Sequence, residues 1–213
     1  MTAPARRTPD GRPDLSGVWI RALGRGASVP NLAAGVSVAL TPAAERIVST
    51  RKANLGTDMP SGLCLPHGLT KALSVPVPFK IVQTPALTLI LHEEFNNYRQ
   101  IFTRDHAVPD ATRTWFGHSV GRWEDDTFVV QTEGFIDDMW IDVVGHPATK
   151  ALKITERIRR IDFGHLESQI TIDDPGAYVA PWTFVLRFDL LPDAELIEDV
   201  CASERDAVHM VGK

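Results

Sequence analysis

A histidine and a glutamate stand near the two ends of residues 118–135, which read HSVGRWEDDTFVVQTEGF. Two alternating runs flank the acidic pair at 125–126, a pattern typical of a β-hairpin with a two-residue turn. In that register His118 lies directly opposite Glu133, with Cβ atoms about 5 Å apart. A carboxylate there raises the basicity of an imidazole and fixes its tautomer. The spacing therefore predicts an acid–base pair; the alternative is an exposed cross-strand contact on the solvated face.

A second group of reactive side chains follows in residues 134–150, which read GFIDDMWIDVVGHPATK. The segment has neither a clean strand pattern nor a helix pattern, and loops that carry such side chains often form one wall of a site. Asp138, Asp142 and His146 are therefore candidates for the opposing proton donor or for substrate binding, and Trp140 is a candidate substrate contact. One Asp-x-x-x-His spacing is a weak metal signature, so no metal site is predicted.

Further carboxylates fall among apolar residues. A hairpin turn at 96–97 places Glu93 opposite Gln100, on an apolar face that also carries Tyr98. A carboxylate on such a face is costly unless it has a partner or is neutral. Glu93 is then either a catalytic acid or a buried anchor bonded to Gln100, and Tyr98 lines the pocket. Glu156, among aliphatic residues of its own strand, either answers an arginine from a neighbouring strand or lines a cavity. Four histidines without an obvious partner are predicted to be incidental: His92, His106, His165 and His209.

The elements that must position these groups are mostly strands. From residue 79 onward, short β-type runs bounded by Gly, Pro, Asn or Asp follow one another without a long helix pattern between them. Regular antiparallel strands without βαβ spacing favour a barrel or a sandwich. The runs are FKIVQTPALTLILHEEF, YRQIFTRD, HSVGRW, TFVVQT, ALKITERIRRI, LESQITID, PWTFVLRFDL and ELIEDVC.

The first part of the chain has a different pattern. Residues 1–16 are rich in Pro, Arg and Asp and predict an extended arm, followed by a short strand in DLSGVWIRAL. The one convincing helix covers residues 42–53, with Thr41 as N-cap and Pro42 at the first helical position. Proline-rich residues 57–78 predict a loop. Together with the strands of residues 79–203, these parts are predicted to form a single domain, residues 1–213.

Composition limits the function classes. The chain has 213 residues, 44% of them hydrophobic, and a net charge of −5, so it is long enough to bury a full core and is a poor nucleic-acid binder. It lacks an apolar run of about 18 residues, so no membrane span is predicted. No signal peptide is recognised at the start, which leaves a cytoplasmic location, or an exported one if a signal was removed. A homo-oligomer is possible.

The two cysteines, Cys64 and Cys201, fit neither a zinc site nor a CxxC redox motif. They are either two separate buried thiols or one disulfide between the early loop and the last run, and the disulfide requires an oxidising compartment.

At PDLSGVW, PFKIVQTP, TWFGHSVGRWEDDTFVVQTEGF and ALKITERIRRID the chain resembles a bacterial protein family with a motif close to TWxGHSxGRWEGDTLVVDTxGF. The resemblance runs from Pro13 to about Ser203 and brings no established activity. It implies a bacterial protein, and many members carry secretion signals. The GxW near the start is also similar to lipocalin-type barrels. Compared with the family motif, Asp125 replaces Gly and Gln131 replaces Asp. His118, Glu133, Asp142 and His146 remain as a coherent polar set.

The predicted fold is therefore all-β: a lipocalin-like antiparallel barrel with one short helix and a long irregular N-terminal arm. A barrel of about eight strands holds one small ligand in its mouth or lumen. The leading functional hypothesis is a cofactor-free enzyme of lyase, isomerase or hydrolase type that acts on a small, partly apolar molecule by acid–base catalysis. The first alternative is a carrier without chemistry, and the second is a structural domain without a pocket. A cavity lined by His118 and another titratable group favours the enzyme.

Overall fold

The computed structural model describes residues 3–23, 32–33, 35–103 and 112–201. Nine strands in this part of the chain close into a barrel, in the order in which they occur along the sequence. The predicted all-β barrel is thus confirmed, and His106 and His209 lie outside the described residues. The strands are β1 (Gly17–Arg21), β2 (Phe79–Gln83), β3 (Leu87–His92), β4 (Tyr98–Phe102), β5 (His118–Glu124), β6 (Thr127–Glu133), β7 (Lys153–Arg160), β8 (His165–Asp173) and β9 (Trp182–Leu190).

Neighbouring strands pair in an antiparallel manner except at one place. β4 and β5 run parallel and pair only at Ile101 with Ser119 and at Phe102 with Val120. The prediction of a wholly antiparallel barrel was wrong at this seam. Two paired positions hold the wall together over a short distance, so the strands are not joined before Ile101 and Ser119.

The hairpin of β5 and β6 has the predicted register. His118 lies opposite Glu133, and the pairing continues to Glu124 opposite Thr127. Asp125 has a φ of 51°, which the two-residue turn requires. The N-terminal arm folds back onto this turn, because the Arg7 guanidinium donates to both carboxylate oxygens of Asp126 at 2.9 and 2.6 Å.

The predicted register of the β3–β4 hairpin was wrong. A turn at 96–97 would have placed Phe95 opposite Tyr98. Instead Leu91 lies opposite Tyr98, because a 3-10 turn at Glu94–Asn96 lengthens the connection. The inner face is also the opposite of the expected one, so Tyr98 and Gln100 point outward. The residues that point inward are Thr88, Ile90, His92, Arg99 and Ile101.

Two α-helices accompany the strands in the described residues. Helix α1 (Pro42–Ala53) confirms the prediction, and the Thr41 hydroxyl accepts a hydrogen bond from the backbone N–H of Ala44 at 3.3 Å. Helix α2 (Leu69–Ser74) begins inside the segment predicted as a loop, and all of its residues are buried. No helix in the described residues is long and apolar enough to cross a membrane.

The barrel has two ends that differ in composition. We call the end where β7 finishes the base, where the Arg160 guanidinium lies 5.1 Å from the Trp19 ring. The Trp19 indole donates to the Leu15 carbonyl at 3.0 Å. All three Arg160 nitrogens donate to backbone carbonyls, those of Asp14, Asp162 and Phe163. We call the opposite end, where β5 and β7 begin, the upper end.

A disulfide links Cys64 to Cys201, which confirms the second of the two alternatives for the cysteines. The run ELIEDVC forms no strand, contrary to prediction. It is instead a tail that crosses the turn between β3 and β4. There Glu93 accepts a hydrogen bond from the Ile197 N–H at 3.0 Å, and Asp199 accepts one from the Phe95 N–H at 3.1 Å.

Candidate functional site

The main candidate site is a cleft in the wall where β4 and β5 separate. The segment before β5 pairs with the chain that follows β6, since the Thr114 N–H donates to the Gly134 carbonyl and the Ile136 N–H donates to Thr114. This pairing draws the segment away from β4 and leaves a cavity of about 390 Å³. Among the lining residues are Pro66, Tyr98, Arg99, Phe116, His118 and Ser119.

Two glycines of the central motif allow His118 its position. Gly117 has a φ of 63°, and a Cβ there would meet the Thr132 side chain at 2.7 Å. Gly134 has a φ of 77°, and a Cβ there would lie 2.8 Å from Cδ2 of His118. Any other residue at either position is strained or collides with its neighbours. The imidazole therefore lies over a surface that only glycine provides.

His118 is oriented by a backbone carbonyl rather than by a carboxylate. Its Nε2 lies 2.7 Å from the carbonyl oxygen of Thr112. A carbonyl can only accept, so Nε2 carries the hydrogen and, in the neutral ring, Nδ1 is left with a lone pair. Glu133 is opposite in register, but its side chain is exposed and lies 3.8 Å from Lys153. The register prediction was confirmed, and the orienting partner is Thr112.

Arg99 forms the centre of a polar cluster inside the barrel. Only 2% of it is exposed, and its Nε donates to Ser119 at 2.9 Å. Its Nη2 donates to Thr132 at 2.8 Å and also to the carboxylate of Glu156. Glu156 thus pairs with an arginine, which is one of the two predictions made for it. The arginine lies on β4, which is not adjacent to β7, the strand of Glu156. The surface pair of Glu94 with Arg99 implied by the predicted register does not form.

Three buried polar atoms of the barrel's inward-facing residues lack a hydrogen bond. They are Arg99 Nη1, His92 Nε2 and Ser168 Oγ, and the statement holds for the described residues. Leaving such groups unpaired costs about 1–3 kcal/mol each. Burial, with a smaller contribution from the Arg99 charge, lowers the pKa of His92 to about 3. His92 is therefore a neutral interior group packed 5.2 Å from the Phe116 ring.

A second cluster lies in the segment after β6. His146 Nδ1 lies 2.7 Å from a carboxylate oxygen of Asp142, and both residues are buried. Asp142 also accepts hydrogen bonds from the backbone N–H groups of Val144 and His146. A carboxylate held in this way fixes the imidazole with its hydrogen on Nδ1. The structure thus brings together two of the candidate residues of this segment.

The other predicted residues of that segment have separate surroundings. Trp140 is buried, and the Arg51 guanidinium lies 4.4 Å from its ring. Asp138 is exposed. Neither residue lines the wall cleft, and the Asp142–His146 pair does not line it either, as far as the described residues extend. The structure therefore divides the predicted catalytic set between two places.

The pocket residues predicted from the β3–β4 hairpin also separate. Tyr98 is 64% exposed and lines the cleft at its rim. Glu93 contacts the tail and is not a lining residue of the cleft. Its predicted bond to Gln100 is not formed, because Gln100 lies opposite Leu89. His165, predicted to be incidental, has its Nδ1 2.7 Å from a carboxylate oxygen of Asp162.

Sequence reasoning missed Arg99 and Lys71. In YRQIF the alternation allows either Tyr98 or Arg99 to point inward, and hydrophobicity favours Tyr98. The carboxylate of Glu156, which the sequence marks as a buried acid in need of an arginine, was the available signal for Arg99. For Lys71 no comparable signal exists, because its partners come from a proline-rich loop. No group of acidic, histidine or cysteine residues suited to a metal occurs in the described ranges.

No protein-family model matches the chain, no curated protein matches its sequence, and no solved structure matches it. The functional argument therefore depends on the cleft and its neighbouring clusters.

Proposed function

We propose that the protein binds a small, partly apolar molecule in the wall cleft, with an oxygen of the ligand accepting a hydrogen bond from Arg99. The observation that carries this proposal is the buried Arg99 Nη1, which has no partner among the described residues, in a residue that lines the cleft. Guanidinium groups favour carboxylate and carbonyl oxygens.

The size and lining of the cleft support such a ligand. Its volume of about 390 Å³ falls within the range of small-molecule sites. Aromatic side chains provide the apolar part, and Asn97, Gln100 and Ser119 add polar groups. The aromatic residues are Tyr98, Phe102, Trp115 and Phe116.

The charge of the site narrows the ligand class. Glu156 already balances the positive charge of Arg99, so an incoming anion meets a neutral pair and not an isolated cation. Affinity then comes from apolar contact and from one directed hydrogen bond. Small acids and ketones with an apolar body satisfy both requirements.

The test uses 8-anilinonaphthalene-1-sulfonate, an aromatic probe with an acidic oxygen group, in a fluorescence titration of the full chain. Replacing Arg99→Met and Glu156→Leu together removes the donor without leaving a buried charge, and should weaken binding about tenfold. The matched control, Arg122→Met with Glu124→Leu, removes an exposed pair on the outer wall and should leave affinity within about twofold.

The rim supplies an independent variant that does not disturb the interior. Tyr98→Ala removes an exposed aromatic ring from the cleft and should weaken the probe about threefold to tenfold. If the wild-type protein fails to bind the probe, or if the buried double variant and Tyr98→Ala both bind it normally, the cleft is not the binding site.

A second candidate function, acid–base catalysis, is favoured by the fixed tautomer of His118. With Nε2–H held by the Thr112 carbonyl, Nδ1 is the atom that can accept a proton from a bound molecule. The reaction class is then lyase, isomerase or hydrolase chemistry without a cofactor. The carrier hypothesis differs by having no such step.

The probe substrate 5-nitrobenzisoxazole separates these hypotheses. A base removes its ring proton, the N–O bond breaks, and a cyanophenolate forms without any other reagent. We expect turnover above that of free imidazole, reduced about 10²-fold or more in His118→Ala. His165→Ala, which changes a partly exposed histidine outside the cleft, is the control. Equal rates for wild type and His118→Ala would favour the carrier.

A further inference from the structure

Lys71 is a buried amine that the cleft does not use. It lies in the middle of α2 with 4% of its surface exposed. Its Nζ lies 3.0 Å from the Ser61 hydroxyl and 2.7 Å from the Met59 sulfur. Both partners are neutral, and a thioether is a weak acceptor.

This environment disfavours the charged amine. Burial lowers the pKa of Lys71 to about 8, and this effect outweighs the opposing influence of the Glu94 and Asp142 charges. Within the described ranges, the protonated amine has no carboxylate in ion-pair contact to offset its desolvation. A useful fraction of Lys71 is therefore the neutral, nucleophilic form near neutral pH.

Two histidine–carboxylate pairs belong to the same end of the barrel. Glu94 has an oxygen 2.8 Å from His67 Nδ1, although not in line for a hydrogen bond. Asp142 is bonded to His146. These two acids are the groups whose charges act on Lys71. Imidazole and carboxylate groups are the types of side chain that transfer protons in additions to a carbonyl group.

The segment that covers Lys71 is anchored covalently. Met59 and Ser61, its two contacts, belong to a stretch that ends at Cys64. Cys64 is bonded to Cys201 in the tail, which is itself held across the β3–β4 turn. Residues 59–64 thus form a flap whose far end is fixed by the disulfide.

We propose that Lys71 is a carbonyl-binding amine that forms an imine with a small aldehyde or ketone admitted beneath the flap of residues 59–64. The Nζ lone pair attacks the carbonyl carbon and a C–N bond forms. The nitrogen then loses its protons as the former carbonyl oxygen gains two and departs as water, so no oxidant or reductant takes part. This site is separate from the wall cleft and does not depend on its proposed function.

The experiment exposes the oxidised full chain to propionaldehyde and sodium cyanoborohydride at pH 7, and peptide mass spectrometry then measures alkylation at each lysine. We expect Lys71 to react about tenfold faster than Lys150 or Lys153, because its lowered pKa leaves more neutral amine. Those two residues are exposed and serve as internal references. A Lys71 rate equal to or below theirs overturns the proposal.

Two variants test whether Lys71 is the reacting amine and whether the aldehyde enters beneath the flap. Lys71→Arg should abolish the fast phase of aldehyde uptake and leave the reference lysines unchanged. Cys64→Ser with Cys201→Ser releases the flap and should raise the Lys71 rate about threefold or more, if opening the flap limits entry. An unchanged Lys71 rate in this variant contradicts entry beneath the flap, and a fast phase that persists in Lys71→Arg contradicts the assignment of the amine.

Discussion

The base and the upper end of the barrel each bury an arginine, and the two arginines are bonded differently. At the base, all three nitrogens of Arg160 donate to backbone carbonyls and its plane packs against Trp19. Towards the upper end, Arg99 uses Nε and Nη2 on side chains and leaves Nη1 without a partner in the described structure. An arginine whose nitrogens are all bonded within the protein has a structural role, whereas one with an unbonded nitrogen keeps a hydrogen-bond donor for a ligand.

The same difference extends to the neighbouring groups. Trp19 at the base donates to Leu15, while Trp182 at the upper end has an indole nitrogen with no acceptor among the described atoms. His92 and Lys71 add a neutral imidazole and an amine of lowered pKa to that end. Buried polar groups of this kind reduce stability. Because they are concentrated at the upper end, the reactive groups are separated from the base, which stabilises the barrel.

The largest expected effect is at Arg99. Arg99→Met leaves Glu156 buried without its cation and should lower the free energy of unfolding by about 3–5 kcal/mol. Adding Glu156→Leu should recover most of that loss, because the unpaired charge is then gone. Denaturant unfolding of both variants measures this, and a double variant as unstable as the single one would refute the explanation.

A somewhat smaller effect is expected at the base. Arg160→Met leaves three carbonyls without their donor and should cost about 2–4 kcal/mol of stability. Because this arginine only closes the barrel, affinity for the fluorescent probe, measured on the folded variant, should stay within about twofold. A large loss of probe affinity would remove the distinction between the two ends.

The next effect depends on pH and comes from His92. Its pKa is about 3 in the folded protein, so between pH 6.5 and 3 the unfolded chain binds a proton that the folded protein does not. The neutral His92 therefore does not reduce the free energy of unfolding above pH 6.5, but that free energy falls as the pH drops from 6.5 towards 3. Between pH 7 and 4 the wild type should lose about 3 kcal/mol more than His92→Phe. Parallel pH–stability curves for the two proteins would contradict this.

Replacing Lys71 should stabilise the protein at neutral pH. Below pH 8 Lys71 is charged in both the folded and the unfolded protein, and its desolvation destabilises the folded protein. Between pH 8 and 10.5 Lys71 is protonated only in the unfolded chain, so the free energy of unfolding rises with pH. Lys71→Met should therefore stabilise the protein at pH 7 by about 1–2 kcal/mol, allowing for solvent screening, and the gain should fade above pH 10. Thermal unfolding against pH, with Lys153→Met as the exposed control, measures the difference.

The smallest effect is expected at Glu133. Since Glu133 is exposed and His118 is bonded to Thr112, Glu133→Gln should change stability by less than about 0.5 kcal/mol. Turnover of 5-nitrobenzisoxazole should fall by less than about threefold. A loss close to that of His118→Ala would restore the glutamate as the partner of the histidine.

The outcome for the two hairpins shows what a single sequence can specify. The β5–β6 register follows from a two-residue turn and strict alternation, so His118 opposite Glu133 was predictable. Between β3 and β4, Phe95 and Asn96 adopt left-handed φ values of 56° and 49°. Asparagine commonly adopts such a value, but phenylalanine rarely does, so the sequence did not predict the longer turn. The barrel itself was predictable because short strands followed one another without helices.

The candidate site was less predictable because its geometry depends on distant residues. Arg99 points inward and bonds to the carboxylate of Glu156, which comes 57 positions later in the chain. The alternation within β4 alone does not show which of its two faces points inward. The cleft arises from a parallel seam that hairpin logic does not anticipate. By contrast, Asp142 and His146 lie four residues apart in one segment, and both were candidates because of the residue types concentrated there.

The disulfide turns most of the barrel into a covalent ring. Cys64 and Cys201 are 137 positions apart, and the ring contains β2 through β9. Of the nine described strands, β1 alone is contributed by the branch outside the ring, and it fits between the edges of β2 and β9. One backbone break within the ring leaves a single covalent molecule, whereas a break between β1 and Cys64 detaches the strand that closes the wall. The molecule is thus divisible into a ring of eight strands and a one-strand insert, the arrangement of a split protein.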